Sequence, residues 1–157
     1  MKNKLVLALI ALVLLAPATL SAKKHPKCER PTMEVAGATF TLDTCGYEFT
    51  ITEGGDDQNF VVTLLSDVPS FGFNVHGYGE GFPTYAFISN ESSGASSRNQ
   101  QFHIKLTNSV FKSDSGRTKV YSGNLLICVQ MWDAVGHSQD QRCLALPLTV
   151  TVKPRKK

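Results

Sequence analysis

Past residue 15 the chain has no apolar run long enough to cross a bilayer, no lasting helical apolar stripe and no cysteine pair at C-x-x-C spacing. The first absence excludes a spanning helix in the body of the chain, since a helix needs about 20 apolar residues to cross. The second turns the reading toward strands. The third speaks against a structural zinc site. There is also no G-x-S-x-G elbow, no H-E-x-x-H pair and no phosphate-binding glycine loop, so the common signatures of hydrolases, metalloproteases and nucleotide-binding proteins are missing. Four histidines, His25, His76, His103 and His137, fall in a terminal segment, a loop, an outward strand position and a turn. None stands beside a nucleophile in a recognisable motif. The expectation is a protein without catalytic residues, cofactor or resident metal.

What is present starts at the N-terminus. Lys2 and Lys4 precede an unbroken run of Leu, Val, Ile and Ala over residues 5–15, which Ala16-Pro17 breaks. A positively charged start, a short apolar core and small residues behind it are the layout of a cleavable secretory signal peptide. Ala18 and Ala22 both offer cleavage, and Ala22 leaves the more usual polar spacer. Residues 1–22 are therefore read as signal peptide, and no transmembrane anchor is expected. Without Lys2 and Lys4 the formal charge falls from +3 to +1, and it is unevenly spread. Residues 23–30 and 153–157 form basic terminal segments, while the body over 31–152 carries six Lys or Arg against twelve Asp or Glu. An acidic body argues against nucleic acid as a partner, whereas the basic ends suit acidic surfaces.

Period two dominates the body. Tyr47, Phe49 and Ile51 alternate with Glu48, Thr50 and Thr52, and Phe102, Ile104 and Leu106 alternate with His103, Lys105 and Thr107. A change of parity around Ala36-Gly37-Ala38 reads as a bulge or bend. Phe71, Phe73 and Val75 alternate, the glycine-rich stretch 72–85 reads as a shaped loop, 85–88 as a short strand, the Ser, Asn and Gly-rich stretch 89–101 as an exposed loop, and 112–123 as polar connection. The last hairpin can be checked by its register. Cys128 and Cys143 are centred on the junction of Val135 and Gly136, so a symmetric turn there sets the cysteines directly opposite, within disulfide reach. The same register puts Leu125, Ile127 and Val129 on one face with Leu144, Leu146, Leu148 and Val150. Some eight short strands separated by turns imply an all-β fold, a single antiparallel β-sandwich over 31–152.

Four cysteines in an exported chain imply two disulfides. Cys28 with Cys45 and Cys128 with Cys143 is the preferred pairing. Cys28 with Cys143 and Cys45 with Cys128 is the alternative.

With the strands placed, two resemblances stand out. The acidic glycine turn Glu53-Gly54-Gly55-Asp56-Asp57 running into Phe60-Val61-Val62-Thr63, together with Trp132-Asp133 and the Thr/Val run at 148–152, resembles immunoglobulin-like and cadherin-like modules of exported proteins. The acidic calcium motifs of cadherin repeats are absent, so calcium binding does not carry over. Trp132, Asp133 and Cys143-Leu144-Ala145-Leu146-Pro147 are similar to the last hairpin of the MD-2-related lipid-recognition domains, single immunoglobulin-like sandwiches of about this length. Their closely spaced middle cysteine pair is missing here.

The candidate contacts are aromatic. Tyr78, Phe82 and Tyr85 stand in the glycine-rich stretch, where rings can stack on a sugar or seat an apolar group, and Trp132 stands beside the last turn, as a contact or as a cover for the disulfide. Phe71, Phe73 and Phe87 are read as core. Asp56, Asp57 and Asp133 are read as turn formers, with calcium ligation as the competing role. Asn90-Glu91-Ser92 fits the N-glycosylation pattern. The leading expectation is a secreted or periplasmic non-catalytic binding module that contacts a protein or glycan, in adhesion or at a cell or host surface. A secreted lipid-binding protein of the MD-2-related kind and a small extracellular hydrolase are the alternatives.

Overall fold

The computed structural model describes residues 23–24, 28–68, 71–76, 81–89, 92–95, 98–132 and 135–156. The signal-peptide reading, Tyr78, Asn90, Asp133 and His25 lie outside them. Eleven strands run in the order β1 (Lys23–Lys24), β2 (Thr32–Val35), β3 (Ala38–Leu42), β4 (Tyr47–Thr52), β5 (Gln58–Ser66), β6 (Phe71–His76), β7 (Phe87–Ser89), β8 (Ser92–Ala95), β9 (Asn99–Leu106), β10 (Lys119–Trp132) and β11 (Ser138–Lys153). They form two sheets, ordered β1-β4-β11-β10-β6-β8 and β2-β3-β5-β9-β7. The fold is an immunoglobulin-like β-sandwich held by two disulfides.

Alternation builds the core. β4 buries Tyr47, Phe49 and Ile51, β9 buries Phe102, Ile104 and Leu106, and β11 buries Leu144, Leu146, Leu148, Val150 and Val152. Because successive side chains leave opposite faces of a strand, each sheet presents one apolar face to the other. Aromatic rings meet across the interior. Phe60 of one sheet lies 5.1 Å from Tyr47 and 5.0 Å from Phe49 of the other, and Phe73 meets Phe102 edge-on at 4.8 Å. At these points the rings leave no room for an acyl chain between the sheets.

Several local expectations are corrected. Ala36 and Gly37 both have positive φ, and Val35 pairs with Ala38, so the parity change marks a two-residue hairpin turn and not a bulge. Residues 92–95, expected in a loop, form edge strand β8 on β6. β10 begins at Lys119, within the stretch expected to be connection. Tyr85 lies in the turn before β7 and not in the strand. One pairing in the sandwich is parallel, β4 with β11. It arises because the chain leaves β3 in one sheet, turns at residues 43–46, and enters β4 in the other. Asp43 holds the corner, donating its N–H to the Thr63 carbonyl and accepting the Thr63 N–H on its carboxylate. The Cys28–Cys45 disulfide, with Cα atoms 5.9 Å apart, ties the segment before β2 to the same corner.

Tyr47 adds a bond between layers, its hydroxyl donating to the Val61 carbonyl at 2.5 Å. Burial, helped by the Asp43 carboxylate, pushes this phenol up to about 12. An unfolded tyrosine releases its proton near 10, so between pH 10 and 12 the unfolded chain binds fewer protons and stability falls. The contribution is intact below pH 10 and lost as the pH rises through 12. Since the hydroxyl is only part-buried, the loss is discounted to about 2 kcal/mol. Tyr47→Phe should remove this alkaline step and cost about 1 kcal/mol at neutral pH. Urea melts of both proteins from pH 8 to 12 check it.

Candidate functional site

Two regions carry the residues that sequence reading singled out. The first is the outer face of the six-stranded sheet. In the register of β10 and β11, Cys128 opposes Cys143, Gln130 opposes Gln141 and Leu126 opposes Ala145. Cys128 is bonded to Cys143, and both stand on the face opposite Leu125, Ile127 and Val129, so this disulfide braces the outside of the sheet. Beyond Met131 the register shifts by one, and Trp132 turns over β6. A Cβ built on Gly72 would sit 1.9 Å from the Trp132 ring. Glycine is thus the seat of the indole, which remains 45% exposed. The chain has a single tryptophan, so its fluorescence reports on this contact alone. Gly72→Ala should lift the ring off the sheet, seen as a red-shifted emission and easier quenching by iodide, with little change elsewhere because the indole can swing aside.

The second region is the end of the sandwich where β5 begins and β9 ends. Gln58 and Phe87 both pair with Leu106, so the acidic turn 53–57, the loop 81–86 and the single 3₁₀ turn Asn108–Val110 lie at this same end. Asn108, buried to 1% exposure, organises it. Its side-chain amide donates to the carbonyls of Thr52 and Asp56 at 3.1 and 3.2 Å. Its own N–H donates to Asp57 at 2.8 Å. The Glu53 carboxylate accepts the Ser113 hydroxyl and N–H at 2.6 and 3.2 Å. Those two bonds, with a smaller push from Lys112, hold Glu53 below the usual carboxylate range. Asp57 also pairs with Lys105 at 3.4 Å. Glu53 and Asp57 therefore fasten the turn to its neighbours.

The loop 81–86 crosses the rim of the six-stranded sheet. A Cβ on Gly81 would meet the Ser122 carbonyl oxygen at 2.2 Å, so only glycine permits this crossing. Phe82, expected as a contact, is half-buried, with its ring 5.0 Å from Phe87 and 6.4 Å from Phe111. It is a plug of the core, driven there by its fit among the other rings. Tyr85 is 64% exposed and has φ of 62°, in a turn closed by the Ala86 N–H on the Pro83 carbonyl. This is the third position of a type II turn, which favours glycine. Tyr85→Gly should therefore stabilise the fold by about 1 kcal/mol, raising the melting temperature in differential scanning calorimetry. The strain is retained for an aromatic ring that packs mostly against solvent.

The structure thus leaves Trp132 and Tyr85 accessible, on a sheet face and a loop respectively, and takes Phe82 inward. Phe73 and Phe87 are buried as expected. The histidines do not gather: His103 is on β9 of the five-stranded sheet, His76 on β6 of the other, and His137 in the β10–β11 turn. Among the described residues no three His, Cys, Asp or Glu side chains form a metal-binding group, and no helix is long and apolar enough to cross a membrane. Sequence reading missed Asn108 and the glycine seats. A lone buried asparagine leaves no periodic trace, and the glycines gave no sign of which ring or carbonyl would lie above them.

No family model matches the chain, and no curated protein does. Among solved structures it is similar to the periplasmic chaperone SfaE, at 11% identity and a TM-score of 0.43, covering 74% of this chain and 57% of that one. The chain thus spans a little over half the length of that chaperone. It is also similar to the ASH or PapD-like domain 7 of human CEP192, at 14% identity and a TM-score of 0.43, covering 88% of this chain and 96% of that domain.

Proposed function

We propose that the protein is a non-catalytic binding module of the secreted or periplasmic space, which contacts a protein or glycan through the outer face of its six-stranded sheet. The observation that carries this reading is Trp132. A lone tryptophan seated over a glycine, on a face braced by a disulfide and half open to solvent, offers an amphipathic surface at small entropic cost on binding. Gln130 and Gln141, paired beside it, supply amide groups for hydrogen bonds. Two disulfides and no free cysteine among the described residues support an oxidising compartment.

The test is a glycan array, paired with cross-linked capture from the surface fraction of the producing cell, using the wild-type protein and Trp132→Ala. A partner retained by the wild type and lost at least tenfold by Trp132→Ala supports the reading. Equal retention by both would rule out this face. Turnover of a hydrolysable substrate by the wild type would overturn the non-catalytic assignment.

A further inference from the structure

Positive charge gathers at one end of the sandwich. At the end that holds the 53–57 turn, six basic side chains converge from separate segments: Lys112, Arg117, Lys119, Lys153, Arg155 and Lys156, all exposed. Their placement follows from the pairing. Lys119 opposes Val152, Lys153 opposes Thr52, and the Lys153 carbonyl accepts the Glu53 N–H. Arg155 then lies over the 53–57 turn, its guanidinium 4.0 Å from the Cβ position of Gly54. Arg117 sits on the tight turn it closes with Asp114, just before β10. Of the acids at this end, Glu53 is held by Ser113 with Lys112 alongside, and Asp57 is held by Asn108 and Lys105. That leaves Asp56 and Asp114 against Arg117, Lys119, Lys153, Arg155 and Lys156. Elsewhere among the described residues Glu29, Glu34, Asp43, Glu48, Asp67 and Asp140 stand against Lys23, Lys24, Arg30, Arg98 and Arg142, close to balance. Among the described residues the excess of positive charge is therefore gathered at this end.

We infer that this end docks end-on against an anionic lipid surface. The basic groups come from separate segments at one end and meet a plane together, whereas a polysaccharide chain is gripped along a row. Tyr85 projects from the loop at the same end, and tyrosine favours the headgroup region, where its ring and its hydroxyl are both accommodated. With this end leading, the face bearing Trp132 stands along the side of the docked molecule.

The experiment is co-sedimentation of the purified protein with vesicles of phosphatidylcholine alone and of phosphatidylcholine mixed with phosphatidylglycerol, at about 50 mM and about 500 mM salt. Binding to the mixed vesicles only, and only at low salt, is expected. Each basic residue near such a surface contributes about fivefold in affinity. The triple variant Lys153→Gln, Arg155→Gln, Lys156→Gln should bind about a hundredfold more weakly, while keeping the wild-type melting curve. Arg98→Gln, at the opposite end, should bind as wild type does. No binding to mixed vesicles, unchanged binding by the triple variant, or equal loss in Arg98→Gln would overturn the inference. So would retention on immobilised heparin without vesicle binding, which would point to an anionic polysaccharide instead. The outcome is independent of Trp132→Ala, which leaves this end unaltered.

Discussion

Gly81→Ala should lower the melting temperature by about 10 °C. Two separate costs combine. The backbone at Gly81 has φ of 91°, a conformation that costs an L-residue about 1 kcal/mol or more. In addition the new methyl would lie 2.2 Å from the Ser122 carbonyl oxygen and 3.3 Å from its carbon. Both are backbone atoms of β10, which is bonded here to β11 and yields little, and overpacking of this kind costs about 1–3 kcal/mol. Gly116→Ala supplies the control. Gly116 has φ of 80° but nothing within 4 Å of its Cβ position, so it should show the conformational cost alone. If the two variants melt together, the contact between the 81–86 loop and β10 is not what fixes this loop. If Gly81→Ala is much the weaker, the loop's position follows from that contact, and with it the placement of Phe82 in the core and Tyr85 outside.

How much of this was legible in the chain depended on whether a signal was local. The β10–β11 register could be read because a turn near Val135 and Gly136 places Cys128 against Cys143, and every partner down the hairpin then follows. Strands β4 and β9 were legible because half of each strand is buried, which imposes strict alternation. β8 was not, since Ser92–Ala95 joins β6 through its backbone, and backbone bonding at an edge selects no side-chain pattern. The start of β10 was missed for a related reason: Ser122 and Val120 pair with Thr149 and Thr151 on the outer face, with no apolar partner to demand alternation there. The β2–β3 turn was masked by Ala36, since a left-handed alanine is rare and two glycines or Asn-Gly would have announced it. The parallel β4–β11 pairing joins residues about 100 positions apart, so no window along the sequence contains it. Of the proposed contacts, Trp132 and Tyr85 kept their exposure. Phe82 did not, because an aromatic beside glycines is read the same way whether the loop points outward or folds back onto Phe87 and Phe111.

Asn108 should prove the most sensitive polar position, and pH should reveal why. Its amide supplies both N–H groups to the Thr52 and Asp56 carbonyls, inside an end where it is 1% exposed. Asn108→Ala leaves the Thr52 carbonyl with only the Gly55 N–H and the Asp56 carbonyl with only the Gln58 amide at 3.5 Å; two hydrogen bonds lost at about 0.5–1.5 kcal/mol each give an expected loss of about 2 kcal/mol. Asn108→Asp keeps the shape yet places a carboxylate against two carbonyl oxygens and close to Asp57. An ionised group so buried and unpaired costs several kcal/mol, and the folded state relieves it by holding the proton, which raises the carboxyl above its unfolded value near 4. A group with a raised folded value contributes its stability below the unfolded value and loses it as the pH rises. Asn108→Asp should therefore resemble Asn108→Ala near pH 4 and fall well below it at pH 7. Parallel curves for the two variants, from urea melts across that interval, would show that the amide is not what holds the 53–57 turn in place. Since that turn carries Arg155 over Gly54 and Glu53 against Ser113, its release should also weaken the positive end, so Asn108→Ala should bind anionic vesicles less tightly while Trp132 fluorescence is unchanged.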